Sequence, residues 1–289
     1  LQREDEDRGA AVVVESDRGR GKSSAAGLAA ASLALAGRDV LVTAPDRRNT
    51  DDLFARAREL LAAVGEQSAA GDPITTSRGG RIRFLTPVEA AELPEDPDVV
   101  LVDEAAALAV GVLSSLLEAP AIGFFTTVHG YEGAGRGFSV RFRERLAESA
   151  HDVTDATLSE PIRYAPGDPI ESWAFRALLL DARPPVDDLL ADASPSTVEY
   201  RRLSPDDLTA DEHLLRSVFG LLVFAHYRTE PDDLARLLDA PNVAIRALVV
   251  DGHPISVAIL SREGGLDAST RRRAYEGNRI QGNLLPDLL

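Results

Sequence analysis

The sequence predicts an α/β fold in which a parallel sheet carries helices on both faces, and three observations predict it. Between residues 10 and 180, short apolar runs alternate with longer helical stretches, the pattern of repeated strand–helix units. Those runs are nearly continuous in Val, Ile and Leu, as strands buried on both faces require. The first run feeds a glycine-rich turn and then an Ala-rich helical stretch, an arrangement that aims main-chain N–H groups at an anion.

Ala11 to Val14 is the first strand, followed by Ser16-Asp17-Arg18-Gly19-Arg20-Gly21-Lys22-Ser23. Lys22 is the only lysine among 289 residues. A compact ammonium kept in a chain that otherwise uses arginine points to phosphate binding. In a P-loop the backbone N–H groups cradle the β-phosphate, the lysine neutralises β and γ oxygens, and the serine hydroxyl ligates Mg²⁺. Gly19, Gly21, Lys22 and Ser23 meet that pattern, while Ser16 stands where its leading glycine usually does. The alternative is an ordinary glycine-rich turn; the strand before it and the helix pattern after it, Ser23 to Ala36, favour the nucleotide site.

The remaining strands are expected at Val40 to Thr43, Arg81 to Leu85, Val99 to Val102 and Ile122 to Val128. Helices are expected at Asp51 to Val64, Ala107 to Leu117 and Ser139 to Ser149. Val99 to Val102 ends in Asp103-Glu104. With a P-loop upstream, this pair reads as ATP hydrolysis, Asp103 serving the Mg²⁺ and Glu104 polarising the attacking water. Thr126-Thr127 closes the next strand, where small hydroxyls can sense a γ-phosphate. The glycine-rich stretch from His129 to Phe138 follows, with Arg136 as a candidate phosphate contact and a flexible surface loop as the alternative. It does not begin as a strand-to-helix turn, which disfavours a dinucleotide fingerprint.

Arg163, in Glu160 to Pro169, is either an arginine that stabilises charge on the transferred phosphoryl group or a plain salt-bridge partner. Arg47 and Arg48 are candidates for an RNA backbone contact. The five histidines show no metal-ligand spacing, Trp173 with Phe175 reads as core packing, and Arg271 to Arg273 reads as a solvated or RNA-facing turn.

A break falls at Asp181 to Pro195, where prolines bracket an acidic stretch. Beyond it the pattern becomes a strand (Thr197 to Arg201), helices (Asp211 to Tyr227, Asp232 to Leu238) and a hairpin. The hairpin strands Ala244 to Val250 and Ile255 to Leu260 are joined through Asp251-Gly252. Two domains are therefore expected, residues 1–185 and 196–289.

The chain is 44% hydrophobic without a membrane-length apolar run or a signal peptide, which points to a cytoplasmic protein without a membrane partner. Zero cysteines exclude disulfides and thiolate metal sites and fit a reducing interior. The first residue is Leu and Met is absent, which suggests a piece of a longer protein. A formal charge of −16 and a pI near 4.7 ordinarily argue against nucleic acid. An acidic, lysine-poor surface that retains arginine also fits adaptation to high salt, so local arginine clusters say more about partners than net charge does.

Read in order, four strings carry a resemblance: residues 17 to 23, Asp-Glu-Ala-Ala-Ala at 103 to 107, Gly-Tyr-Glu-Gly-Ala-Gly-Arg-Gly-Phe at 130 to 138 and Pro-Ile-Arg-Tyr-Ala-Pro-Gly-Asp-Pro at 161 to 169. With Leu222 to Thr229 and Tyr275 to Pro286, they resemble the tRNA(Met) cytidine acetyltransferase family over nearly the whole chain. That family joins a RecD-like helicase module to a GNAT-type acetyltransferase module and uses ATP and acetyl-CoA to make N4-acetylcytidine in RNA. The resemblance implies that Gly19, Arg20, Gly21, Lys22, Ser23 and Ser24 bind ATP phosphates, that Arg136 is a further ATP contact, and that tRNA is the partner. It also implies that residues from about 196 open a GNAT-type domain. The acetyl-CoA pyrophosphate loop of GNAT folds, Arg/Gln-x-x-Gly-x-Gly/Ala, is missing. The nearest string, Arg279 to Leu284, has Leu at its last small position, so the chain is expected not to transfer acetyl groups by itself. The alternative function is a P-loop RNA helicase or translocase without acetyl transfer.

Overall fold

The structure, a computed structural model, describes residues 9–66, 71–127, 137–182, 194–225, 231–262 and 264–278. These fall into two compact units that divide between Asp181 and Ala182. The expected glycine-rich stretch at 130 to 136, Arg136 within it, most of the 181 to 195 break, His129, His226 and the string Arg279 to Leu284 lie outside the described residues.

The first unit runs β1 (Gly9–Ser16), α1 (Lys22–Leu35), β2 (Asp39–Thr43), α2 (Asp51–Ala63), β3 (Ile74–Thr75), β4 (Arg81–Phe84), α3 (Pro87–Ala90), β5 (Val99–Val102), α4 (Val110–Ser115), β6 (Ala121–Thr127), α5 (Arg143–Ala147), β7 (His151–Thr157) and α6 (Pro169–Ala177). Its strands form a sheet ordered β3-β4-β2-β5-β6-β1-β7. All pairings are parallel except the short β3–β4 pair. The doubly covered parallel sheet read from the sequence is therefore present.

Successive side chains of a strand point to opposite faces, and the core divides accordingly. Val13, Leu41, Val100, Val102, Ile122 and Phe124 pack on one face with Leu113, Leu116, Phe138, Phe142 and Leu146. Their neighbours Val14, Val40, Val42, Leu101 and Phe125 pack on the other with Ala26, Ala30, Ala31, Ala34, Leu53, Phe54 and Leu61 of α1 and α2. Phe124 meets Phe142 edge-on with ring centroids 4.9 Å apart. The small side chains of α1 let α2 approach closely: a Cβ on Gly27 would lie 2.3 Å from the Leu53 carbonyl oxygen.

Several elements depart from the sequence reading. The helix expected at Ala107 to Leu117 shrinks to α4 between short 3₁₀ turns, and that expected at Ser139 to Ser149 becomes a π-helical turn at Gly137–Phe142 followed by α5. β7 was not anticipated because His-Asp-Val-Thr-Asp-Ala-Thr is an edge strand, exposed at most positions, and lacks the apolar run that marks the central strands. Trp173 is 67% exposed on α6, which corrects its reading as core packing. α6 buries no side chain.

The second unit has β8 (Glu199–Leu203), α7 (Pro205–Ala210), α8 (Glu212–Ala225), α9 (Pro231–Asp239), β9 (Val243–Val250), β10 (His253–Ser261) and α10 (Ala268–Tyr275). Its strands form an antiparallel sheet ordered β10-β9-β8. Asp251 and Gly252 join β9 to β10 with φ of 48° and 84°, the left-handed pair that makes Asp-Gly a tight hairpin turn. Among the described residues no helix is long and apolar enough to cross a membrane.

Replacing Gly27 with Ala should destabilise the chain by about 1–3 kcal/mol, the usual cost of overpacking. The control Gly111→Ala, an exposed position of α4 with open space around its Cβ position, should be neutral or slightly stabilising. Urea unfolding of the two variants at constant salt checks both.

Candidate nucleotide site

The site forms at the carboxyl ends of three neighbouring parallel strands. β6 lies between β1 and β5, with Ser16 level with Thr127 and Val102 level with Phe124. The glycine turn, the acidic pair and the two threonines thus leave the sheet side by side, as ligand sites of open α/β sheets do.

The chain leaves β1 at Ser16 and turns through Gly19 and Gly21 at φ of 75° and 87°, a left-handed conformation open to glycine without steric cost. α1 begins at Lys22. Its N-cap Gly21 provides no side-chain cap, and the first turn carries no acidic residue. This fourteen-residue helix therefore presents uncapped N–H groups, with Ser23 and Ser24 in its first turn, and the positive end of its dipole to an anion.

Lys22 is 6% exposed. Its Nζ donates to the Ser16 and Asp17 carbonyls at 3.0 and 3.1 Å. Burial pushes the ammonium pKa down, opposed by the nearby carboxylates of Glu104 and Asp103.

Asp103 is completely buried. Its N–H bonds the Thr43 carbonyl, and its Oδ1 accepts from the Glu104 N–H at 3.0 Å. Its Oδ2 is buried without a hydrogen-bond partner. Burial pushes this carboxyl up to about 6 against the pull of the Ser23 hydroxyl, with Glu104 adding repulsion and Lys22 offsetting it.

Glu104 adopts φ 49°, ψ 47°, a left-handed conformation that is strained for a non-glycine residue. The Thr127 hydroxyl donates to its Oε2 at 3.3 Å, and the Thr126 hydroxyl accepts from the Ala106 N–H at 3.3 Å.

Mg²⁺ takes one or two protein oxygens and completes its octahedron with phosphate and water. The orphaned Asp103 Oδ2 and the Ser23 hydroxyl fit such an ion. Among the described residues no cluster of three or more His, Asp or Glu side chains could hold a metal ion.

Arg163 pairs with Asp52 at 3.2 Å, both side chains about 70% exposed, a surface ion pair of small energetic weight. The Arg20 side chain turns away from the turn's interior: it donates to the Tyr164 hydroxyl at 2.8 Å and pairs with Glu171 at 2.8 Å. Only the main chain of Arg20 is left to serve an anion. Tyr164 and Glu171 escaped the sequence reading because 144 residues separate Tyr164 from Arg20. Of the arginines read as RNA contacts, Arg47 lies over the Phe54 ring at 4.2 Å from its centroid and Arg48 is held by Asp46.

Residues 13–181, more than half of the chain, match the family described as RNA cytidine acetyltransferase NAT10/TcmA, helicase domain. The chain belongs to this family. The tRNA(Met) cytidine acetyltransferase TmcA of Haloferax volcanii is 66% identical over 97% of this chain and 38% of its own length. The TmcA of Haloarcula marismortui is 64% identical over 97% of this chain and 37% of its own length. The chain thus spans under two fifths of the length of these relatives, and their haloarchaeal sources match its acidic, lysine-poor composition. Among solved structures, the large terminase of the thermophilic bacteriophage D6E covers 59% of this chain and 45% of its own at 10% identity and a TM-score of 0.43, too distant to add to the topology above. The NAT10/TcmA helicase region of this chain, residues 13–181, contains the lysine turn, Asp103, Glu104 and the two threonines of the candidate site.

The buried carboxyl makes a pH prediction. Its folded pKa near 6 exceeds the unfolded value of about 3.9, so the native state holds a proton that the unfolded state releases, and its contribution to stability falls as pH rises through that window. Asp103→Asn should remove this term. Without nucleotide, the variant's stability advantage over wild type should grow by roughly 1 kcal/mol between about pH 5 and 7.5 and then level off; urea unfolding across that range measures it.

Proposed function

We propose that this chain is the ATP-binding and ATP-hydrolysing part of an RNA cytidine acetyltransferase that forms N4-acetylcytidine in tRNA. The carrying observation is the pairing of a lysine-bearing, uncapped helix N-terminus with a buried, half-satisfied Asp103 at the end of β5, with β6 between them. A triphosphate answers both.

In this reading the N–H groups of Gly19 to Ser24 hold the phosphates, and Lys22 exchanges its carbonyl partners for β and γ oxygens. Ser23 and Asp103 would hold Mg²⁺, which would supply charge neutralisation on the phosphates. Glu104, steadied by Thr127, takes a proton from water as the water oxygen bonds to the γ-phosphorus. The bond from that phosphorus to the bridging oxygen breaks, leaving ADP and phosphate. Arg163 can leave its exposed pair with Asp52 at little cost to meet charge on the transferred group, and Arg136 is the further ATP contact that the family resemblance implies.

Residues 1–185 then form the helicase-like ATPase domain, and 196–289 the opening part of a GNAT-type domain whose acetyl-CoA site lies elsewhere in the whole protein. ATP turnover remodels the bound tRNA so that a cytidine reaches the acetyl donor, in the cytoplasm. Family membership favours this reading over a translocase without acetyl transfer.

Lys22→Ala should weaken Mg²⁺-dependent ATP binding by about a hundredfold or more, measured by calorimetry in high salt. Glu104→Gln should keep binding while phosphate release drops about 10²–10⁴-fold, the usual range for a lost general base. Undiminished acetylation of tRNA by full-length Lys22→Ala protein would overturn the coupling.

A further inference from the structure

The turn between β1 and α1 is gripped from outside by the segment that leads into α6. The Ile162 N–H donates to the Gly19 carbonyl at 3.0 Å. The Arg20 guanidinium donates to the Arg18 carbonyl at 3.2 Å and to the Tyr164 hydroxyl at 2.8 Å, and it pairs with Glu171 at 2.8 Å. Tyr164 has one phenolic proton and two acceptors in reach, the Glu171 Oε1 at 2.7 Å and the Arg18 carbonyl at 3.3 Å. The shorter, charge-assisted bond to Glu171 takes it, leaving the Arg18 carbonyl to Arg20. The glycines leave little clearance: a Cβ on Gly21 would lie 3.0 Å from Ile162 Cδ1, and one on Gly19 3.2 Å from the Tyr164 hydroxyl.

A trans peptide points its C=O and N–H in opposite directions. Holding the carbonyls of Arg18 and Gly19 on the outer side therefore turns the N–H groups of Gly19 and Arg20 inward, toward the place a phosphate occupies. Glycine-rich peptides have the freedom to flip, and no disulfide or leading glycine turn fixes this one. We propose that Tyr164 and Glu171 are positioning residues of the nucleotide site, which hold Arg20 outward and so preset the inward N–H groups of the turn. This rests on the nucleotide reading of the site above.

High salt does not undo such a device. At molar salt the Debye length is about 3 Å, which removes remote attraction but leaves a contact pair whose side chains are only 10% and 17% exposed. Glu171 is held below the usual carboxylate range first by its bond from Arg20 and then by that from Tyr164.

The test is steady-state ATP hydrolysis in high salt by the wild-type chain and by Glu171→Ala, Tyr164→Phe, Arg20→Glu and the exchanged pair Arg20→Glu/Glu171→Arg, with thermal unfolding of each. Glu171→Ala should raise KM for ATP about tenfold while kcat moves less than about twofold, the split expected when ground-state and transition-state binding are lost together. Tyr164→Phe should shift KM in the same direction by less. Arg20→Glu should match or exceed the Glu171→Ala defect, and the exchanged pair should return KM to within about threefold of wild type. Unchanged KM in Glu171→Ala, tighter ATP binding by it, or a defect that the exchange leaves unrepaired overturns the inference. Failure of the wild type to bind Mg²⁺-ATP at all would instead show on the Lys22→Ala control as equal, absent binding, and would sink the nucleotide reading itself.

Discussion

Two opposite charges buried at one edge of a sheet set the terms for the rest of the molecule. Lys22 at the start of α1 and Asp103 at the end of β5 are both withdrawn from water, and burial works against the charged form of each. The protein answers them only in part: two carbonyls for the ammonium, one N–H for one carboxylate oxygen, and no hydrogen bond for the other. Removing such groups from water costs several kcal/mol per ion unless partners are supplied. A ligand that brings phosphate oxygens to the lysine and a cation to the aspartate recovers that cost as binding energy. The doubly covered sheet is what makes the burial possible, because only a β5 buried on both faces can deliver a carboxylate to a dry edge.

Much of this was legible in the sequence for physical reasons. Strands buried on both faces must be apolar at every position, so Val99 to Val102 announced itself and so did the acidic pair that ends it. Lys22 stood out against a chain that otherwise spends only arginine. What escaped falls into two kinds. β7 keeps most of its side chains in water, so no apolar run marked it; α6 turns Ile170 and Trp173 to solvent, and Trp173 was misread because aromatic residues are usually buried. The bonds from Arg20 to Tyr164 and Glu171 join positions 144 apart or more, and no local pattern encodes a contact of that range; the Pro-Ile-Arg-Tyr string was visible, but not what its tyrosine touches.

The acidic surface and the internal ion pairs play different parts. Exposed carboxylates keep the chain hydrated where salt screens their mutual repulsion. Pairs that must hold in such a medium are drawn inward: Asp39, largely shielded, accepts from both Arg81 and Arg83, and these arginines more than offset the burial that would otherwise raise its pKa. This cluster ties β2 to β4 at the opposite end of the sheet from the lysine turn, as Arg20 and Glu171 tie that turn to α6. In both cases the charges are in contact, so their attraction does not depend on the field that salt removes.

The placement of Glu104 follows from its neighbours rather than from its own preferences. A left-handed glutamate costs about 1–3 kcal/mol and persists only where surrounding bonds over-determine it. Here they do: its own N–H is held by Asp103, the Thr126 hydroxyl takes the Ala106 N–H just beyond, and the Thr127 hydroxyl reaches the carboxylate. This explains why β6 changes character at its end, from Phe124 and Phe125, which pack the two faces of the sheet, to two threonines whose hydroxyls carry no packing role. The strand between the lysine turn and the acidic pair thus does more than space them: its last two residues fix the backbone just beyond the glutamate and the direction of its carboxylate.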